Sequence, residues 1–370
     1  MVNDKYVGIF EGRDWIEPEM LGKNLKGEKK INDNWSKDDW LTLVKIAKEL
    51  KKEYKRRIPH HHLPDQTLFM LFFNDSLRTR NSFEAGMTQL GGHAHFLDPA
   101  KIYRPALPGE DVPYKTERIA DVARVLSEMG DGIAIRIYGD AVEWKYAKGH
   151  NIIKEFARWA SIPVINMEDD IFHPCQALAD WQTIDEHLNG KYEKKKYVMS
   201  YAYSGGLKPL AVPTSCVLSA TMMGMDVVFA RPKGFELEES VIQRCKEYAD
   251  MFGGSFEETD DMEEAFEGAD VVYPKAWTPR DALVGPWNNK TVPDKELAEK
   301  ISSKFKDWIC NQEKMELCNK DAIYMHCLPA DRGQEVTDDV IDGPQSVVFD
   351  EAGNRLHAQK ALMITIMGRK

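Results

Sequence analysis

Thr67-Leu68-Phe69-Met70-Leu71-Phe72-Phe73-Asn74-Asp75-Ser76-Leu77-Arg78-Thr79-Arg80 is an apolar run that stops at a polar turn, and the helical pattern Ser82-Phe83-Glu84-Ala85-Gly86-Met87 follows it. The apolar part reads as a buried strand, and Ser76 as the N-cap of the helix. Two arginines, a serine and a threonine therefore stand at a strand-to-helix turn. Free backbone N–H groups and the positive end of the helix dipole converge at such a turn. Guanidinium forks added to them make an anion site that suits phosphate best. The same residues also fit a capped helix with a solvated arginine pair, and taken alone the stretch does not separate the two readings.

Working outward, strands and helices alternate. Residues 38–52 read as an amphipathic helix on Trp40, Leu41, Leu43, Val44, Ile46, Ala47 and Leu50. After the opening strand and a helix over 82–90, Gly91-Gly92 ends the helix and 93–97 reads as a strand. Residues 99–113 form a Pro/Gly-interrupted loop, a place where binding residues often sit. A helix over 119–129, a strand over 132–138 containing Arg136, a helix over 151–160 and a strand over 162–167 follow. The second half continues with strands at 197–203, 225–230, 271–273, 322–328 and 347–349, helices at 212–223 and 241–251, and a closing helix over 356–367. This alternation predicts an α/β protein with two doubly wound, largely parallel sheets. The boundary is expected near Cys175 to Trp181, dividing residues 1–174 from 175–354, with 355–370 returning to the first domain.

Composition narrows the function. The 370 residues, 43% hydrophobic, suffice for two domains with their own cores. A net charge of −11 argues against nucleic acid and anionic membranes as partners, and makes any anion site a local concentration of arginines. The N-terminus has no basic-then-apolar signal pattern, and no apolar run approaches a membrane span. Six cysteines, Cys175, Cys216, Cys245, Cys310, Cys318 and Cys327, form no Cys-x-x-Cys pair, which predicts reduced thiols in a cytoplasmic protein. The run His60-His61-His62 precedes Pro64 and reads as a loop; no second ligand cluster is spaced to make it a metal site.

Polar groups at strand ends mark where open α/β sheets bind ligands. Arg136, inside Ile133-Ala134-Ile135-Arg136-Ile137, requires an anionic partner, either a ligand or an internal carboxylate. His173-Pro174-Cys175-Gln176 follows the strand Val164-Ile165-Asn166-Met167 and opens a helix, with Pro174 in its first turn. His173 then stands as a donor to an anionic oxygen or as an N-cap. In Tyr324-Met325-His326-Cys327-Leu328-Pro329, the proline is expected to hold Leu328 extended and to leave the carbonyls of Cys327 and Leu328 aimed outward. A nucleophilic Cys327 lacks a companion base, because the adjacent His326 would point to the opposite strand face.

In this order, Ser-x-Arg-Thr-Arg, an arginine strand, His-Pro-x-Gln and His-Cys-Leu-Pro resemble the aspartate/ornithine carbamoyltransferase family. The likeness continues through Glu335-Val336-Thr337-Asp338-Asp339-Val340, Gly343-Pro344-Gln345-Ser346 and Asn354-Arg355-Leu356-His357, and spans residues 40–368. It implies a first domain that binds carbamoyl phosphate and a second that binds an acceptor amine. Carried over, Ser76, Leu77, Arg78 and Thr79 hold the phosphate. Arg136, His173 and Thr79 face the carbamoyl oxygen. Gln176 and the backbone carbonyls of Cys327 and Leu328 hold the carbamoyl NH2, and Arg355 completes the cationic wall. Neither metal nor cofactor is implied. Lys208-Pro209-Leu210-Ala211-Val212-Pro213, Lys275 and Asn166-Met167-Glu168 resemble the knotted subgroup, which includes N-acetylornithine carbamoyltransferases and members of unassigned acceptor. They imply a trefoil knot in the second domain and an acceptor held by Asn166, Met167, Glu168 and Lys275.

The acetylornithine pattern is departed from near Tyr103, where a neighbour's tryptophan is expected, and near Glu335, where a lysine is. The family further implies a cytoplasmic homotrimer, active sites at subunit interfaces with the Lys101–Tyr103 loop reaching a neighbour, domain closure, and a place in arginine biosynthesis. The expected activity is carbamoyl transfer to an ornithine-like amino acid, with an N-acylornithine or another amine as the alternative acceptor. A catalytically silent regulatory member is a second reading, and the complete phosphate and carbamoyl motifs argue against it. A nicotinamide enzyme built on Ser204-Gly205-Gly206 is a third, and it lacks the Gly-x-Gly-x-x-Gly turn.

Overall fold

The computed structural model describes residues 4–18 and 33–369; residues 19–32, part of the polar N-terminal stretch, lie outside the described residues. Eleven strands occur among them: β1 (Thr67–Phe72), β2 (His93–Leu97), β3 (Arg104–Ala106), β4 (Thr116–Arg118), β5 (Gly132–Arg136), β6 (Val164–Glu168), β7 (Lys196–Tyr201), β8 (Asp226–Ala230), β9 (Ser255–Thr259), β10 (Val271–Lys275) and β11 (Ile323–Tyr324). They form a parallel sheet of order β2-β1-β5-β6, another of order β11-β10-β7-β8-β9, and the small pair β3-β4. The first sheet belongs to a unit of residues 1–142, 147–182 and 353–370, the second to a unit of residues 143–146 and 183–352. No helix among the described residues is long and apolar enough to cross a membrane.

In the first unit, Leu71, Ile133, Ile135 and Val164 of the sheet pack with Ile119, Ile152, Ile153 and Phe156 of two covering helices. Each such burial contributes roughly 1.5–3 kcal/mol. The register sets Arg136 beside Phe72 at the end of β1, and a shift after Ile135 sets it opposite Glu168 of β6. The Leu77–Gln89 helix starts where its cap dictates, with Ser76 Oγ accepting from Thr79 N at 3.1 Å. It ends before Gly91, whose φ of +84° a side chain would strain.

The N-terminal segment covers the exposed edge of the first sheet. Trp15 N donates to Val164 O at 2.9 Å, Asn166 N to Trp15 O at 2.7 Å, and Val164 N to the Asp14 carboxylate at 2.9 Å. Beyond it, Glu17 reaches His150 Nε2 at 2.8 Å and also pairs with Lys154. Burial would raise the Glu17 carboxyl, but the hydrogen bond and charge of His150, with Lys154, hold it at about 2. That pairing stabilises the fold fully above the ordinary carboxyl value of 4.5 and is lost as pH falls through about 2. The difference in unfolding free energy between wild type and Glu17→Gln should therefore be wide near pH 5–6. Denaturant titrations at successive pH values should show it closing as pH falls from 4.5 toward 2.

The second unit departs from expectation in several places. The strand expected over 322–328 stops at Tyr324, because His326 N turns to Glu351 Oε2 at 2.9 Å and leaves the ladder. The strand expected over 347–349 does not form. Val347 makes one bond to Tyr324 O, and the Val348–Ile366 helix begins at once. Leu328 is not extended; its φ is 53°, and its N–H is taken by His326 Nδ1 at 2.9 Å. β9 and the Met262–Phe266 helix were not foreseen, since Ser-Phe-Glu-Glu-Thr is a polar edge strand without an apolar run. The 99–113 loop contains β3, whose pairing with β4 was not foreseen either.

Candidate active site

Most of the residues singled out at the first sheet's strand ends are brought together. Arg355, fully buried, donates from Nη2 to Thr79 Oγ1 at 3.1 Å and from Nη1 to Gln176 Oε1 at 2.7 Å. Gln176 is held in turn by Asp180, one helical turn on, through Nε2 to Oδ1 at 2.8 Å. Arg136 donates to Glu168 Oε2 and, from Nη2, to Tyr138 OH at 2.8 Å. His173 Nε2 lies 3.2 Å from the same Glu168 oxygen. Ser76, Leu77 and Arg78 stand at the first turn of the Leu77–Gln89 helix, with Leu77 exposed. The internal carboxylate that Arg136 called for is thus Glu168, a residue expected to serve the acceptor.

Charge is concentrated around these groups. Burial, and then the charges of Arg355, Arg136 and Arg78, push His173 well below the usual imidazole range, so it is a neutral donor at physiological pH. Burial raises the Glu168 carboxyl, and Arg136 and Arg355 only partly offset it. Burial also lowers Arg355 from its ordinary value, with Arg136 adding to the effect. The Nε atoms of Arg136 and Arg355 are buried without a hydrogen-bond partner among the described residues. A buried donor left unmatched costs about 1–3 kcal/mol, and two on adjacent guanidiniums call for an anionic oxygen.

The other expected acceptor residues are placed differently. Asn166 is fully buried, its amide given to Ile16 O at 2.9 Å and Asp169 at 2.8 Å, and Met167 is buried beside it. Tyr103 is 55% exposed on its loop. In the second unit, Lys275 Nζ pairs with Glu335 Oε1 at 2.7 Å. Glu335, itself fully buried, also accepts from Ala276 N at 2.7 Å and Asp331 N at 2.8 Å, and meets His326 Nε2 at 3.3 Å. Burial would raise Glu335, yet Lys275 and His326 hold it well below the carboxylate range. Glu335 thereby ties down both ends of the loop that carries Cys327 and Leu328.

Residues 31–186 match the carbamoyl-P binding domain, and residues 159–366 the Asp/Orn binding domain, of the aspartate/ornithine carbamoyltransferases. The chain belongs to the aspartate/ornithine carbamoyltransferase family. An ornithine carbamoyltransferase of Thermococcus kodakarensis is 39% identical over 336 residues, covering 90% of this chain and 94% of that one. An anabolic ornithine carbamoyltransferase of Pyrococcus furiosus is 38% identical over 341 residues, covering 91% and 95%. Among solved structures, an acetylornithine transcarbamylase complexed with acetylcitrulline superposes with a TM-score of 0.82 at 35% identity, covering 90% of this chain and 97% of that one. The ornithine carbamoyltransferase of Pyrococcus furiosus gives 0.78 at 36%, covering 98% and 99%.

Several polar groups around these sites escaped the sequence reading. Asp180 carried a signal, since Gln176 and Asp180 are four apart on a helix and such residues meet. Tyr138 also had one, lying two positions beyond Arg136. Glu335 had none toward Lys275: sixty residues separate the pair.

Proposed function

We propose that this carbamoyltransferase moves the carbamoyl group of carbamoyl phosphate to the amine of an ornithine-like amino acid, releasing phosphate. The observation that carries the reading is the buried cationic group of Arg136, Arg355 and neutral His173 beside the Ser76-capped helix start, with two guanidinium Nε atoms unmatched. Ser76, Leu77, Arg78 and Thr79 would hold the phosphate, and Arg355 would back them. The amine nitrogen attacks the carbonyl carbon, the C–O bond to phosphate breaks, and the proton given up by the amine goes to the departing phosphate. Negative charge grows on the carbonyl oxygen meanwhile, where Arg136, His173 and Thr79 would donate to it. Glu168 now occupies two of those donors, so the carbamoyl oxygen would take its place and leave the carboxylate for the acceptor. Gln176, with the backbone carbonyls of Cys327 and Leu328, would hold the carbamoyl NH2.

On the acceptor side, Lys275 would meet a carboxylate, with Asn166 and Met167 contacting the backbone of the acceptor and Tyr103 reaching from a neighbouring subunit of a homotrimer. The knotted threading implied for residues 208–213 belongs to the same reading. So does a cytoplasmic setting, which six free thiols, five of them buried, support. Carbamoyl phosphate offered with a panel of amino acids, diamines and N-acylornithines should give a ureido product with at least one ornithine-like amine. A folded enzyme giving none with any of them would overturn the assignment.

A further inference from the structure

The turn between Glu168 and His173 is what brings these two side chains to 3.2 Å, and a buried polar chain holds that turn. Asp169 is its centre. Its Oδ1 accepts from Ile171 N at 2.7 Å and Phe172 N at 2.6 Å; its Oδ2 accepts from Asn166 at 2.8 Å and faces His150 Nδ1 at 2.7 Å. The other imidazole nitrogen of His150 meets Glu17 at 2.8 Å. The close approach needs Gly149, where a Cβ would lie 2.5 Å from Ile137 O and 2.7 Å from Asp170 Oδ1. Glu17 stands on the N-terminal segment, fixed there by Asp33, which accepts from Ile16 N at 3.1 Å and Glu17 N at 3.0 Å. Packing of the buried Trp15 against Trp35 and Trp40, with ring centroids 4.8 and 5.0 Å apart, seats the same segment.

We propose that Glu17, acting through His150 and Asp169, is a positioning residue for His173, so that the N-terminal segment sets the geometry of the carbamoyl-oxygen donor. Burial alone would lower the His150 imidazole, but the two carboxylates that flank it raise it to about 10. Glu17 and His150 therefore stay oppositely charged throughout the neutral range, with Asp169 Oδ2 against the other imidazole nitrogen. Neutralising Glu17 leaves a buried imidazole with one carboxylate, and the turn can relax. A donor displaced by an ångström forfeits transition-state stabilisation while the phosphate clamp, built on other elements, stays in place. The inference rests on the carbamoyl-transfer reading above.

The test uses the full chain with Glu17→Gln and Glu17→Asp. For Glu17→Gln, kcat should fall about 10–100-fold with the KM for carbamoyl phosphate within about threefold of wild type. Glu17→Asp should recover most of the loss. Amide exchange at Ile171 and Phe172 should quicken in the glutamine variant, and this readout does not depend on turnover. If wild type carbamoylates no amine, the functional reading fails, and exchange alone then judges the brace. Unchanged exchange overturns it. So does a kcat within threefold of wild type in Glu17→Gln, or a loss in which KM, kcat and melting temperature worsen together and aspartate gives no rescue, since that pattern marks a merely structural residue. Should Glu17→Gln fail to fold, His150→Gln is measured for the same split and the same exchange, with the same outcomes deciding.

Discussion

Arg78→Ala should lower kcat/KM for carbamoyl phosphate by about 30-fold to 1000-fold and leave the fold intact. The magnitude follows from losing one charge-assisted contact to a doubly charged leaving group, worth roughly 2–4 kcal/mol, at about 1.4 kcal/mol per decade of rate. The fold should survive because Arg78 is only half-buried in the first turn of the Leu77–Gln89 helix. Alanine is the best helix former there, and the Ser76 cap bonds to Thr79 N rather than to Arg78. Arg78 is also one of three cations that depress His173, so its removal lets the imidazole move back toward its ordinary value. Steady-state kinetics with varied carbamoyl phosphate, beside a thermal melt, decides the matter. Activity within a few-fold of wild type would remove the phosphate clamp from this turn.

Much of this site was legible in the sequence because it is made of local structure. The Ser76 cap closes over three residues, and Pro174 with His173 marks a helix start over two. Strand–helix alternation announced both parallel sheets. Arg136 was legible as a demand: an arginine in an apolar strand has to meet an anion. Which anion was not, because Glu168 is brought opposite it by a register shift between β5 and β6 that no residue pattern announces. The same limit hid Glu335 behind Lys275. The residues beyond Tyr324 misled for a different reason. Apolar stretches such as Met325 to Leu328 and Val347 to Phe349 look like strands, but side chains claim the backbone of the first and the Val348–Ile366 helix takes up the second. Glu351 takes the N–H of His326, and His326 that of Leu328. Leu328 in the left-handed region carries roughly 1–3 kcal/mol of strain, which only its surroundings can hold.

Those surroundings are what Glu335→Gln should disturb most. The variant is expected to lose roughly 3–5 kcal/mol of stability, the cost of stranding a buried charge. Lys275 would keep its ammonium beside a neutral amide, and the amide NH2 would face donors at Asp331 N and His326 instead of accepting from them. Loss of those anchors frees the loop of Cys327 and Leu328, so kcat should fall as well. Removing both charges together separates structure from recognition. In Lys275→Met/Glu335→Gln no buried ion is left uncompensated, and replacing a buried pair by neutral groups of similar volume is often nearly neutral. The double variant should therefore recover most of the lost stability in denaturant unfolding. Its acceptor KM should nevertheless stay raised far above its carbamoyl phosphate KM, because the ammonium proposed for the acceptor carboxylate is gone. A double variant with wild-type acceptor KM would confine Lys275 to the fold. A single Glu335→Gln as stable as wild type would mean that the loop is held by other contacts.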